Sequence, residues 1–105
     1  MYQQAASSDQ QIPVLVTSKF GTDPTGSAVA FAVTTTPYPA PAQNTVTLAA
    51  TWYTDTTVTP NQHYAMCQCG PASPYVPTAG STVYLWVKFT SGATLVLGPV
   101  AAQFT

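Results

Sequence analysis

The chain has 105 residues, which is enough for one domain with a hydrophobic core. Only 5% of its residues are charged, there is no arginine, and the formal net charge is -1. Binding to nucleic acid depends on Lys and Arg contacts with phosphates, so this composition excludes nucleic acid as the expected direct partner. Disorder pairs low hydrophobicity with high net charge, whereas 46% of these residues are hydrophobic, so the sequence predicts a folded domain.

The sequence shows neither a membrane span nor a signal peptide. A transmembrane helix needs about 20 mainly apolar residues in a row, and four prolines interrupt the long uncharged run between Asp55 and Lys88. Residues 1–9 contain neither a basic segment nor the apolar stretch of a signal peptide. We therefore expect no membrane partner, and a protein that stays in the cytoplasm where it is made or is packaged there.

The N-terminal segment differs in pattern from the rest of the chain. Residues 1–11 are polar and lack hydrophobic periodicity, which predicts a flexible N-terminal arm. Residues 12–105 are predicted to form a single β domain. Its first strand begins at Ile12, and Pro13 favours a sheet edge or the start of a strand, because proline cannot donate a hydrogen bond to a neighbouring strand.

The middle of the chain alternates strands with proline-containing connections. A turn at 23–26 leads into a strand in which Val29, Phe31 and Val33 face the core. Residues 37–41 contain three prolines and predict an exposed, polyproline-like connector. Two further strands are predicted. Their bounds are 46–53, with Trp52 on the inward face, and 62–69, with Ala65, Cys67 and Cys69 on one side.

The clearest strand covers residues 82–90. Large apolar residues occupy every second position and are expected to face the core: Val83, Leu85, Val87 and Phe89. A tight turn at Ser91-Gly92 predicts a hairpin with the last strand. Gly98-Pro99 is expected to form a bulge there, after which Val100, Ala102 and Phe104 face inward again. Six strands, of which all but the last two are joined by proline-containing connections, favour an all-β antiparallel sandwich or a small barrel.

Residues that could carry chemistry are few. Cys67 and Cys69 lie about 7 Å apart on one strand face, too far for a disulfide, and adding His63 gives a series too long to hold one metal ion. Asp9, Asp23 and Asp55 fall in turns or the arm, where Asp is common. We therefore predict buried free thiols and no catalytic residue, metal ion or cofactor.

The outward face of strand 82–90 is unusual because it carries aromatic residues. Tyr and Trp are enriched in protein interfaces, so this face and the proline connector predict an interface formed by Tyr38, Tyr84, Trp86 and Lys88. An alternative is a platform on which a sugar ring stacks, formed by Tyr84 and Trp86 together with Tyr53. The shortage of charged hydrogen-bonding groups favours the protein interface.

An ordered set of motifs resembles a group of small virion structural proteins of tailed actinobacterial phages. The set spans residues 12–104 and consists of Asp23-Pro24-Thr25-Gly26, Val29-Ala30-Phe31-Ala32-Val33, Trp52-Tyr53-Thr54-Asp55, Tyr64-Ala65-Met66-Cys67 with Gly70-Pro71, and Leu85-Trp86-Val87-Lys88.

The resemblance implies an immunoglobulin-like β-sandwich of about six to seven strands and a non-enzymatic role. It implies a small capsid decoration, minor capsid or head-to-tail neck subunit that binds capsid, portal or neck proteins in many copies per particle. The expected location is the virion, assembled in the cytoplasm of the host bacterium. The alternative function is a carbohydrate- or cell-wall-binding module.

Overall fold

The computed structural model describes residues 2–16, 24–91 and 93–105. The predicted turn residues Asp23 and Gly92 lie outside these ranges, as does the predicted end of the first strand. Eight strands are present in the described residues: β1 (Tyr2–Gln4), β2 (Gln10–Val16), β3 (Val29–Thr34), β4 (Leu48–Ala49), β5 (Thr51–Asp55), β6 (Gln62–Cys69), β7 (Thr82–Ser91) and β8 (Ala93–Phe104). Short 3-10 turns occur at Pro24–Gly26 and Gln43–Thr45. No helix in these ranges has the length and apolar character needed to cross a membrane.

The strands form two sheets, which confirms the all-β prediction. The larger sheet has the order β1-β8-β7-β3-β4, and the smaller has the order β2-β6-β5. Neighbouring strands are antiparallel except β1 and β8, which are parallel. Strand β2 is an edge strand, as Pro13 predicts.

One hydrophobic core lies between the sheets, and alternate residues of the strands fill it. The predicted inward residues of β7 (Val83, Leu85, Val87 and Phe89) are all buried, as are Phe31, Ala65, Cys67, Cys69, Ala102 and Phe104. Val29, Val33 and Val100 pack against this core while remaining partly exposed. Period-two alternation therefore identified the core faces correctly, because inward and outward residues alternate along each strand. Ala32 and Trp86 are buried as well, on the outward side of their strands.

The predicted strand over residues 46–53 is wrong in one respect. The chain pairs with β3 at Leu48–Ala49, crosses at Ala50, and pairs with β6 from Thr51 onward. The segment therefore belongs to two sheets. The apolar pattern is preserved across the crossing, since Val46 is buried and Trp52 is half-buried, and for that reason alternation alone did not reveal it.

The predicted arm over residues 1–11 is also corrected. Tyr2–Gln4 form β1, which pairs with Ala102–Phe104 of β8, and β2 begins at Gln10. Gln4 is buried, and its Nε2 donates hydrogen bonds to the backbone oxygens of Ser8 and Cys69, each at 3.0 Å. Backbone pairing and a buried amide thus hold a segment that has no apolar repeat.

The predicted bulge at Gly98-Pro99 is present. The β7–β8 register shifts between Leu85 and Val87, so Leu85 pairs with Val100 and Val87 with Leu97. Gly98 has φ +143°, a conformation that side-chain-bearing residues rarely adopt. The shift allows the second half of β8 to bury Ala102 and Phe104.

Candidate interaction surface

The two cysteines lie on β6 and face the core. Both are free and fully buried. Burial raises the pKa of Cys67 to about 12, with a smaller contribution from Cys69, and burial raises the pKa of Cys69 to about 11. A thiol that stays protonated at neutral pH is neither a nucleophile nor a metal ligand. The prediction of buried free thiols is confirmed.

Hydrogen bonds to neighbouring loop and strand residues account for the titratable residues Asp55, His63 and Asp9. Asp55 accepts hydrogen bonds from the backbone N–H and the hydroxyl of Thr57, which lower the pKa of its carboxyl. The Nδ1 atom of His63 lies 2.9 Å from the hydroxyl of Thr54. Asp9 accepts bonds from the Ala72 N–H and the Ser73 hydroxyl. Within the described ranges, no three His, Cys, Asp or Glu side chains are grouped to hold a metal ion.

Trp86, predicted to lie at an interface, is covered by its own chain. Its side chain is 3% exposed, and its Nε1–H donates to the hydroxyl of Thr34 at 2.9 Å. A Cβ added at Gly98 would lie 3.1 Å from the indole ring, so the bulge packs directly against it. Trp86 therefore has almost no accessible surface for a partner to contact. The predicted interface of Tyr38, Tyr84, Trp86 and Lys88 is wrong at this residue.

Trp86 instead supports the loop that carries Tyr38. Thr34, which accepts the indole N–H, donates through its own hydroxyl to the Thr36 backbone oxygen at 2.8 Å. The Thr36 hydroxyl in turn donates to the Tyr38 backbone oxygen at 3.0 Å. Tyr38 is 75% exposed, and residues 35–40 are all exposed. The proline connector is therefore a surface loop, as predicted, with hydrogen bonds that link its base to the sheet.

Tyr84 and Lys88 share the outward face of β7 with Trp86, and both are partly exposed. The Lys88 ammonium group donates to the Gln43 backbone oxygen at 3.0 Å. It lies beside an open groove of about 450 Å³, whose lining includes Val29, Val46 and Thr94. The structure thus brings Tyr84, Trp86 and Lys88 together on one strand, with Trp86 closed off between two accessible neighbours.

A second surface, which the sequence did not single out, lies on the outer side of the small sheet. We call it the tyrosine face and define it by Pro13, Leu15, Tyr53, Tyr64 and Met66. Leu15 pairs with Tyr64, which pairs with Tyr53, so three large side chains form a row across the sheet. The two tyrosine rings lie 6.3 Å apart at 41°. Tyr53 is 55% exposed and Leu15 45% exposed, so this apolar row meets solvent.

The sequence contained only part of the signal for the tyrosine face. Alternation places Tyr64 and Met66 opposite the cysteines. It does not give the register, and the register alone brings Leu15 of β2 and Tyr53 of β5 to either side of Tyr64. None of the five residues that define this face carries a formal charge.

Comparisons of the chain with protein-family models, with curated proteins and with solved structures find no match.

Proposed function

We propose that this chain is a non-enzymatic structural protein of a tailed bacteriophage virion. In this proposal it is a small capsid decoration, minor capsid or head-to-tail neck subunit that binds neighbouring virion proteins. Many copies would be present in each particle, assembled in the cytoplasm of the host. The basis is the resemblance of residues 12–104 to such proteins, together with the fold and the surfaces described above.

The strand order is the observation that carries the proposal, because it supports the immunoglobulin-like fold that the resemblance implies. A variable-type immunoglobulin domain places strands B, E and D in one sheet and strands G, F, C and C′ in the other. Here β2, β6 and β5 occupy the first three places, and β8, β7, β3 and β4 occupy the other four. Strand β1 departs from this arrangement, because it pairs with β8 in the larger sheet, whereas strand A of the constant-type domain lies in the sheet of B, E and D.

The surface chemistry supports a role in assembly. A formal net charge of -1 produces little repulsion between copies, and both outer faces offer uncharged aromatic side chains, Tyr38 and Tyr84 on one side and the tyrosine face on the other. Contacts of this kind are individually weak. Repetition over a symmetric shell makes them sufficient, because multivalency multiplies weak affinities.

A carbohydrate- or cell-wall-binding module is the second candidate. The Tyr53–Tyr64 pair favours it, because exposed aromatic rings can stack on sugar rings. The platform expected at Tyr84 and Trp86 does not serve this purpose, since Trp86 is buried. The candidate sugar-binding surface is therefore the Tyr53–Tyr64 pair on the smaller sheet.

The test is to look for the protein in particles. Mass spectrometry of purified virions of the phage that encodes the chain should detect it in many copies, and its absence from mature particles contradicts the proposal. Tyr38→Ala should reduce incorporation, whereas Val76→Ala, which truncates an exposed apolar residue in another loop, should not. Binding of the purified protein to host cell-wall glycans, lost in Tyr53→Ala, together with absence from particles, would establish the second candidate.

A further inference from the structure

The four sheet edges are not equally protected against pairing with another chain. Natural edges are blocked by shortness, by proline or by lysine. The edge strands β1 and β4 have three and two residues, and β2 carries the exposed Pro13. Strand β5 has five residues, Thr51–Asp55, and contains neither proline nor lysine. It is the edge that lacks these devices.

Strand β5 is also held firmly in place from the inside. The Nε1–H of Trp52 donates to the Ser27 backbone oxygen at 2.9 Å, and its ring meets Phe89 edge-on at 6.3 Å. On the other side of the strand, Thr51 and Tyr53 are exposed. Within the described part of the chain, β6 is the only strand hydrogen-bonded to β5. A rigid edge with one open side loses little conformational entropy when a strand is added.

The single charge of β5 allows a second copy of the same strand to pair with it and favours the antiparallel direction. Asp55, at the end of the strand, is the one charged residue of β5. In an antiparallel pair of two β5 strands centred on Tyr53, Asp55 of each copy lies opposite Thr51 of the other. The two carboxylates are then about 13 Å apart, beyond the screening length of about 8 Å at physiological ionic strength. Parallel pairing in register would bring them to about 5 Å.

We propose that two copies of this chain associate through β5, as an antiparallel β5–β5 pair centred on Tyr53. The pair joins the two small sheets into one sheet of six strands. It also makes the row of Leu15, Tyr64 and Tyr53 continuous with the same row of the second copy. This inference does not rest on the proposed virion role. The contact is small, below the roughly 1,200 Å² of stable interfaces, so the dimer is weak and concentration-dependent.

Sedimentation of the purified chain over a hundredfold range of concentration tests the proposal. The wild type should show a reversible equilibrium between monomer and dimer. Tyr53→Lys should raise the dissociation constant at least about tenfold, because two like charges then face each other across the two-fold axis. Leu15→Lys is the matched control: it places the same charge on the same sheet face but at the opposite edge, and should leave the equilibrium unchanged.

Mixing two variants tests the register. Tyr53→Lys and Tyr53→Glu should each stay monomeric alone, and an equal mixture should form the dimer again, which also shows that both variants are folded. Hydrogen exchange should show amides of Thr51–Asp55 gaining protection as the wild-type concentration rises. A wild type that stays monomeric overturns the proposal. So does a mixture that fails to pair, or a dimer that Leu15→Lys dissociates as strongly as Tyr53→Lys.

Discussion

The outer faces of the two sheets differ in how far their aromatic residues are exposed to solvent. On the larger sheet, Trp86 is 3% exposed, with its N–H bonded to Thr34 and its ring against the bulge at Gly98. On the smaller sheet, Tyr53 is 55% exposed, and its ring lies 6.3 Å from the ring of its neighbour Tyr64. Both residues alternate outward from the core. The difference arises from what the rest of the chain places over them.

This difference in exposure distinguishes residues that stabilise the fold from residues that are available to bind a partner. Trp86 contributes packing and a satisfied hydrogen bond, so it acts within the fold. Tyr53 leaves more than half of its surface available, so it is suited to act between molecules. An aromatic residue on an outward face is therefore an interface candidate only where no loop or bulge covers it.

The largest effect is expected from Trp86→Ala. Removing a buried indole leaves a cavity and removes the hydrogen bond to the Thr34 hydroxyl, which should lower the free energy of unfolding by about 3–5 kcal/mol. Urea unfolding followed by circular dichroism measures the loss. A loss below about 1 kcal/mol would mean that Trp86 is not packed as described and would remove the contrast between the faces.

Unfolding at high pH tests whether the core side of the small sheet excludes water from its two thiols. The folded-state pKa values of Cys67 and Cys69 are raised to about 12 and about 11 from 9.0. Well below pH 9 both thiols stay protonated in folded and unfolded chains. As the pH rises through 9, the unfolded thiols ionise before the folded ones, so stability should fall by several kcal/mol by roughly pH 11.

The control for this measurement is the double variant Cys67→Ala with Cys69→Ala. Its stability should decline less between pH 9 and pH 11, although tyrosine ionisation affects both proteins. Equal declines would indicate that the thiols are solvated and that the small sheet is loosely packed.

Gly98→Ala should have an intermediate effect. The added Cβ would lie 2.8 Å from the Leu85 carbonyl oxygen and 3.1 Å from the Trp86 ring, at a φ of +143°. We expect a loss of about 1–3 kcal/mol in the free energy of unfolding, measured by urea titration. Gly26→Ala is the matched control, because nothing lies within 4 Å of its added Cβ, and it should be close to neutral.

The smallest effect on stability is expected from Tyr53→Ala. The side chain is mostly exposed, and its tilted contact with Tyr64 is a cross-strand pair of the kind that contributes about 0.2–1 kcal/mol. Thermal unfolding at low protein concentration should therefore show a small shift. A loss comparable to that of Trp86→Ala would place Tyr53 within the fold and contradict the contrast.

Alternation predicted the parts of this fold that depend on one buried side per strand. It identified the inward residues of β7, the cysteine side of β6 and the resumption of the core pattern after the bulge. It could not locate the crossing at Ala50, because inward residues stay inward when the chain moves from one sheet to the other. It also missed β1, whose Tyr2–Gln4 segment is held by backbone pairing and the buried Gln4 amide.

The candidate site was less predictable than the fold. Period two shows that Tyr84, Trp86 and Lys88 share a face, and the structure agrees. Whether that face is open depends on Thr34 and Gly98, which lie 52 and 12 residues from Trp86 along the chain. The tyrosine face depends in the same way on the registers of β2 and β5 with β6. Contacts distant in sequence decided both outcomes.

The parallel pairing of β1 with β8 has a mechanical consequence. Tyr2 lies beside Ala102 and Gln4 beside Phe104, and the Thr105 N–H donates to the Gln4 oxygen at 2.9 Å. A force that pulls Tyr2 and Thr105 apart therefore acts along these strands, so their hydrogen bonds are loaded together in shear and are not broken one at a time. The domain should resist stretching between these two residues more strongly than it resists peeling of β4 from the opposite edge of the same sheet.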